Sequence, residues 1–384
     1  MHRLQFHYTL SRDSSSPAQV RNPLIDLLQA VSTQGSISAG ARALGLSYRH
    51  VWGELKRWEK ELGNELVVWE KGQSARLTEF GAKLMWAERQ AQARLAPQIE
   101  ALRAELERSF AVAFDDSAHV VTLYASHDDA LSALREYALA ADADHHHDQG
   151  TAQLHLDIRF CGSVDAIRGL NEGRCVMAGF HTLQHPAPGS LAERIYKPLL
   201  QPGLHKIIGF AERTQGLMVA AGNPLGLQSL SDLKRSRARF VNRALGTGTR
   251  VVLDELLAQN GLTTLDIRGY EYTEPSHTAA AHAVASGAAD VGLGIALAAR
   301  AQGLDFVPLI QENYHLVCLK SALEEPAIAA LLAVLQSPRW QQQLASTVGY
   351  TPSHCGEIQS LRQVLPWWDF SHQKVRSPLL TKRP

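Results

Sequence analysis

Residues 35–63, GSISAGARALGLSYRHVWGELKRWEKELG, decide how the first part of this chain folds. Ser36 or Ser38 can cap a helix that carries Ala41, Ala43 and Leu44 and stops at Gly45. Ser47 caps another, running from Tyr48 to about Leu62, with Gly63 as its stop. A serine oxygen accepts from an unpaired first-turn N–H, and glycine takes the left-handed exit without a Cβ clash. Upstream, Pro23 suits a first helical turn, and Leu24, Ile25, Leu27, Leu28 and Val31 give that helix one apolar face, closed by Gly35. Downstream, 65–69 reads as a short apolar strand, Lys71-Gly72-Gln73-Ser74 as a turn and Ala75-Arg76-Leu77 as the return strand. Thr78 caps the next helix.

Helix, helix, tight turn, helix, hairpin is the element order of a winged helix-turn-helix, which lays its third helix in the DNA major groove. Tyr48, Arg49, His50 and, a turn later, Gly53 and Lys56 fall on one side of that helix. Val51, Trp52, Leu55 and Trp58 supply the side expected to be buried. Arg49 suits the two-pronged contact to guanine, Lys56 and Arg57 suit phosphates, and Lys71 and Arg76 place two cations on the wing. With Ser47 at the helix start, Ser47, Tyr48, Arg49, His50, Lys56, Arg57, Lys71 and Arg76 are the expected DNA-facing set. Taken alone, the pattern also fits a solvated helical hairpin with ordinary surface charges.

Charge over the whole chain neither supports nor excludes DNA binding. The 384 residues hold 38 Lys+Arg against 38 Asp+Glu. Residues 1–110 carry 15 against 12, so any electrostatic attraction depends on local placement. Hydrophobic content of 45% with 20% charged residues suits a globular protein of two or three domains. Cys161, Cys175, Cys318 and Cys355 form no C-x-x-C pair and read as reduced thiols. No signal peptide or membrane span is legible, so the expected location is cytoplasmic, with no membrane partner.

Leu84, Ala87, Ala91, Leu95, Ile99, Leu102 and Leu106 are spaced by threes and fours, close to a coiled-coil seam with charged flanks. A dimer seam is favoured over a helix packed on its own domain, because no folded body follows immediately. Pro97 should kink this helix or start a new one.

From residue 120 strands alternate with helices, which argues a mostly parallel α/β sheet long enough for two lobes. Strands are expected at 120–125, 153–160, 176–180, 205–209, 216–221, 240–242, 291–293, 306–309 and 315–319. Ligands of open α/β folds bind where helix N-termini meet the carboxyl ends of strands, and small anions prefer those unsatisfied N–H groups. Four such corners stand out. They supply Ser126, His127 and Asp128; Gly162 and Ser163; Arg243, Gly248, Thr249 and Arg250; and Ser276, His277 and Thr278. Each also reads as plain capping or a tight turn. The Gly246-Thr247-Gly248 turn lacks both the P-loop ending and dinucleotide spacing.

His145-His146-His147 with Asp144 and Asp148 offers metal-ligand types, but consecutive side chains in a polar loop do not close a site. Ser126-His127-Asp128 holds triad letters in adjacent positions that cannot adopt triad geometry. No nucleophile–base constellation is found. No catalytic residue, metal or cofactor is expected, and the chain does not read as an enzyme.

The segment 22–106 resembles the N-terminal domain of ModE-type molybdate-responsive regulators, a cousin of the LysR-type winged helix. The likeness rests on Gly35-Ser36-Ile37-Ser38, Ala41, Leu44-Gly45-Leu46-Ser47-Tyr48, Trp52 and Leu77-Thr78-x-Phe80-Gly81. It implies DNA binding and dimerisation through the long helix. Residues 118–355 resemble the type-2 periplasmic-binding-protein fold, in the molybdate-binding-protein-like version fused to helix-turn-helix domains or molybdenum-cofactor enzymes. That likeness rests on Ser126-His127-Asp128, Gly162-Ser163, Gly222-Asn223-Pro224-Leu225, Phe240-Val241-Asn242-Arg243 with Gly246-x-Gly248-Thr249-Arg250, and His277-Thr278 with 285–294. The small β-barrel sensor of the ModE family has no counterpart here, so molybdate does not transfer as the ligand.

The expected layout is a winged helix-turn-helix at 20–82, a linker and dimerisation helix at 83–112, and a two-lobed α/β effector domain at 118–384. Lobe I is expected at about 118–182 and 310–384, lobe II at about 205–305. The expected function is a one-component transcriptional regulator with three partners. These are a pseudo-palindromic double-stranded DNA operator, a small anionic effector (molybdate, tungstate, another oxyanion or a small carboxylate) and a second copy, as a homodimer or dimer of dimers. The alternative is a solute-binding protein or enzyme whose N-terminal helices mediate only assembly.

Overall fold

The computed structural model describes residues 22–69, 74–114, 119–144 and 154–368. Its N-terminal elements are α1 (Pro23–Gln34), α2 (Ile37–Ala43), α3 (Tyr48–Leu62), β1 (Val67–Val68), β2 (Arg76–Leu77) and α4 (Glu79–Phe114). Local chemistry sets each boundary. Asn22 caps α1, Ser36 rather than Ser38 caps α2, and Ser47 Oγ caps α3 by accepting from the His50 N–H at 3.1 Å. Leu28, Val31, Ile37, Val51, Leu55 and Leu66 close one small core. Gly81 is required where it stands, since a Cβ there would lie 2.3 Å from the Leu66 carbonyl oxygen. Beside it, Thr78 Oγ1 accepts from the Gly81 N–H and donates to the Glu65 carbonyl, which pins the wing to the start of α4.

Helix α4 runs through Pro97 as one 36-residue element, with neither a new start nor a break there. Pro97 is buried. Packing of that face offsets the hydrogen bond that proline cannot donate. Helix α4 also packs on the α/β body. Ala93 and Ala104 are buried, and Arg94, Arg103 and Arg108 pair with Glu274, Glu136 and Asp157 of the α/β domain. The expected seam lies on another face, where Ala87, Ala91, Leu95 and Leu102 are exposed and Leu84, Ile99 and Leu106 half-buried.

The body comprises β3 (His119–Ala125), α5 (Asp129–Asp144), β4 (Leu154–Phe160), α6 (Ser163–Asn171), β5 (Met177–Leu183), α7 (Leu191–Tyr196), β6 (His205–Val219) and α8 (Leu230–Ser236). There follow β7 (Phe240–Arg243), α9 (Gly248–Gln259), β8 (Thr273–Glu274), α10 (His277–Ala285), β9 (Val291–Ile295), α11 (Ala296–Ala301) and β10 (Asp305–Leu319). Helices α12 (Pro326–Gln336) and α13 (Pro338–Ser346), strands β11 (Tyr350–Pro352) and β12 (Ile358–Ser360) and the short helix α14 (Leu361–Val364) complete it.

The strand order is β4-β3-β5-β10-β6-β9-β7-β8, with β11 and β12 also on β6. This sheet is mixed rather than mostly parallel. The outer pairs, β3 with β4 and β5 and β7 with β8 and β9, are parallel, whereas β6 and β10 run antiparallel to each other and to β9 and β5. The four strands expected at 205–209, 216–221, 306–309 and 315–319 are two 15-residue strands. Each crosses from one lobe to the other, and polar residues at the crossing break the apolar run that would reveal continuity. Register shifts in β10 at Pro308/Ile310 and Tyr314/His315 let this central ribbon bend. Val121, Leu123, Ile158, Met177 and Leu316 pack in one lobe, and Leu227, Leu230, Phe240, Leu253 and Leu293 in the other.

Candidate DNA-reading surface and interlobe cleft

On α3, Val51 and Leu55 are buried, while Tyr48, Arg49, His50, Gly53, Lys56 and Arg57 are exposed. Trp52 and Trp58 are only half-buried, so the buried face is narrower than expected. Trp52 instead stacks on Tyr48 at 6.2 Å, meets Trp69 edge-on and carries Lys56 Nζ 4.9 Å above its ring. The domain core is small enough to be filled by aliphatic side chains, which leaves these aromatics at the rim. Lys56 pairs with Glu59 at 2.7 Å and Arg57 with Glu54 at 2.5 Å, whereas Arg49 makes no ion pair among the described residues. Ser47 is engaged as the helix cap. Arg76 is exposed on β2. Lys71 lies outside the described residues, as do His145, His146, His147 and Asp148.

The four corners of the body converge on the crossing of β6 and β10. From the first lobe come Ser126 and Ser163, whose hydroxyls lie 3.4 Å apart, with Ser163 Oγ 3.5 Å from His181 Nδ1. From the second come Thr249 and His277, with Thr249 Oγ1 3.4 Å from His277 Nε2. Between them the hinge strands contribute Arg213, Gln215, Glu312 and Tyr314. Arg213 donates to both Asp128 and Glu312, and Gln215 Nε2 donates to Glu312 Oε1 at 2.9 Å and Thr249 Oγ1 at 3.1 Å. The lobes touch here. The Val164 N–H reaches the Gly246 carbonyl at 3.5 Å, and a Cβ on Gly162 would lie 2.7 Å from that same oxygen.

Arg243 sets the electrostatics. It is 1% exposed, and only Nη2 has a partner, the Pro275 carbonyl at 3.0 Å; Nε and Nη1 have none. Burial and then the charge of Arg213 push its guanidinium down to about 9. Burial would also lower Arg213, but Glu312 and Asp128 outweigh it and hold that guanidinium well above its ordinary value. Burial, followed by nearby arginines, holds His181 and His277 well below the usual imidazole range, so both are neutral donor–acceptors at pH 7. Burial raises the carboxyl of Glu312.

Not every expected residue points into this space. Asp128 is held by Arg213, Tyr350 and the Ala130 N–H. His127 turns towards α4, 3.6 Å from Glu100, and Ser276 Oγ bonds the Ala93 carbonyl of α4 at 3.3 Å. Arg250 lies 3.8 Å over the Tyr270 ring and beside Asp254. Thr278 is half-buried on α10. Gly248 packs against His181, where a Cβ would sit 2.5 Å from Nδ1. His181, Arg213, Gln215, Glu312 and Tyr314 were missed. Their signal in the sequence is a polar residue within a strand that is otherwise apolar, and no turn or cap marks it.

Residues 144–336 match the model of the PBP superfamily domain. The chain belongs to that superfamily. Residues 24–82 match the bacterial regulatory helix-turn-helix protein model of the lysR family. The chain thus joins a helix-turn-helix similar to that of the lysR family to a PBP-type domain. The chain is 34% identical over 200 residues to the uncharacterized protein YvgK of Bacillus subtilis (strain 168). That match spans 52% of this chain and 64% of YvgK, less than two thirds of the relative's length. Over 109 residues it is 32% identical to an uncharacterized protein from the ferredoxin 2Fe-2S gene 5′ region of Clostridium pasteurianum, covering 28% of this chain and 96% of that one. Among solved structures, a hydrogen-peroxide-bound cysteine-to-serine mutant of Corynebacterium glutamicum OxyR aligns at 16% identity with a TM-score of 0.43, over 85% of this chain and 94% of that one. No helix among the described residues is long and apolar enough to cross a membrane.

Proposed function

We propose that this chain is a cytoplasmic one-component transcriptional regulator, which dimerises through α4, reads a pseudo-palindromic DNA operator and senses a small anion between its two lobes. One observation carries the sensing part. Arg243 is a buried guanidinium with two unpartnered donors, at a cleft where serine hydroxyls and neutral imidazoles converge. Burying a guanidinium with two N–H groups unpaired and no direct ion pair is costly, and an anion seated there offsets the cost.

The path to DNA runs through α4. Its Glu100, Arg103 and Arg108 bond the first lobe, and its Arg94 and the Ala93 carbonyl bond the second. His127 and Ser276, which make two of these contacts, neighbour the cleft residues Ser126 and His277. A change in lobe closure therefore shears α4, and with it the spacing of two recognition helices in a dimer.

Binding of the full-length protein to its own promoter region should weaken steeply with salt and change with a bound anion. A titration of molybdate, tungstate, sulfate, phosphate, formate and nitrate identifies the responsive class. Arg49→Ala should relax operator specificity and leave anion binding intact. Salt-insensitive DNA affinity would favour a solute-binding protein whose N-terminal helices serve assembly.

A further inference from the structure

We infer that the cleft selects a small anion bearing its own O–H or N–H donor and rejects oxyanions that can only accept. This rests on the reading of the cleft as an anion site and narrows it.

The unpartnered buried atoms of the cleft include His181 Nε2, His277 Nδ1 and the Tyr314 hydroxyl, which can serve in either role, and two sets whose role is fixed. Arg243 Nε and Nη1 can only donate and call for an anionic oxygen. Gln215 Oε1 and Glu312 Oε2 can accept, and both residues are fully buried. The Gln215 amide cannot be turned to remove this demand. Its nitrogen already donates to Glu312 Oε1 at 2.9 Å and Thr249 Oγ1 at 3.1 Å, and reversal would set two oxygen acceptors against each other. Arg213 Nε and Nη1 are taken up by Glu312 Oε1 and Asp128, and no bond from Arg213 to Glu312 Oε2 or Gln215 Oε1 is formed.

Charge points the same way. Three carboxyls, Asp128, Asp129 and Glu312, lie near the two guanidiniums of Arg213 and Arg243, so the site has no surplus of positive charge. A fully deprotonated dianion would therefore carry two charges towards one free guanidinium while facing unanswered lone pairs. A ligand with an anionic oxygen for Arg243 and a hydroxyl or amino hydrogen for Gln215 or Glu312 satisfies both sets at once. Sites built to receive a donor discriminate strongly against analogues lacking it, because their buried acceptors are left unpaired.

The chemistry has an inorganic and an organic source, and four probes separate them. Calorimetric titration of the full-length protein at pH 7 would compare phosphate, which keeps a proton, with sulfate, which does not. It would also compare glycolate with acetate. We expect the donor-bearing member of at least one pair to bind on the order of tenfold tighter or more. Arg243→Met should abolish binding of every probe. Gln215→Met should shrink the preference, and Glu312→Gln, which offers an N–H in place of a carboxylate oxygen, should do so without depending on the first variant folding. Equal affinity within both pairs would overturn the inference while leaving the anion site standing. Binding by none of the four probes would remove the anion reading itself, and the selectivity with it.

Discussion

Two glycines at the cleft show how much one atom can decide. A Cβ on Gly162 would meet the Gly246 carbonyl oxygen at 2.7 Å, across the junction of the lobes. A backbone oxygen cannot swing aside as a side chain can. Gly162→Ala should therefore hold the lobes apart and weaken anion binding by about tenfold or more, with little change in unliganded melting temperature. Unchanged affinity by calorimetry would show that closure at Gly162 is not part of binding. A second residue-scale expectation concerns pH. Burial pushes the His315 imidazole down to about 3, against an ordinary 6.5. The folded state keeps it neutral while the unfolded state takes up a proton, so its contribution is complete above about pH 6.5 and is lost as pH falls towards 3. Between pH 7 and 5 this amounts to about 2 kcal/mol. Urea unfolding of wild type and His315→Gln across that range should differ in slope by roughly this much; parallel profiles would contradict it. The comparison of variants matters, because the raised carboxyls of Asp129 and Glu312 pull the overall profile in the opposite direction.

Helix α4 presents two different faces. One face is bonded to the body; the other exposes Leu95 at 43% and Leu102 at 59%. Apolar residues left at coiled-coil spacing on a charged helix are what a second copy would cover. Leu102→Glu should shift the protein towards monomer in light scattering and lower operator affinity at fixed concentration, while calorimetric anion binding persists. A variant that stays fully dimeric would place the dimer contact elsewhere. The spacing of this seam was legible in the sequence, and so was the Ser47 cap of α3, whereas the Asn22 cap of α1 was not read and that of α2 was left between Ser36 and Ser38. What could not be read was that the opposite face of α4 docks on both lobes, because Glu274 and Asp157 lie 180 and 49 residues beyond their partners Arg94 and Arg108.

Across the whole molecule, the long helix that leaves the helix-turn-helix is tied to both lobes by polar contacts, and the proposed coupling of sensing to reading runs through them. Coupling of this kind is reciprocal. An anion that tightens or loosens DNA binding by some factor must itself bind the DNA-bound protein tighter or looser by the same factor. Arg94→Ala, which leaves the buried Glu274 carboxylate without its guanidinium, should reduce both factors together. Calorimetry with and without operator, set against DNA titrations with and without anion, tests this; a variant whose two factors diverge would exclude the two-state linkage through α4.

Sequence by itself determined the local elements. Serine caps, glycine exits and the apolar periods of α1 to α3 are short-range features, and they sufficed for the helix-turn-helix domain. The loops carrying Ser126, Ser163, Thr249 and His277 were legible for the same reason, since helix starts follow local rules. Tertiary structure alone decided which of those corners face one another, and that His127, Ser276 and Arg250 turn away. It also supplied Arg213, Gln215 and Glu312. These residues lie inside β6 and β10, and their meaning depends on long-range strand pairing that aligns Arg213 with Glu312, 99 residues apart. A polar side chain within a strand becomes a site only when the crossing of two strands buries it and assigns its partners.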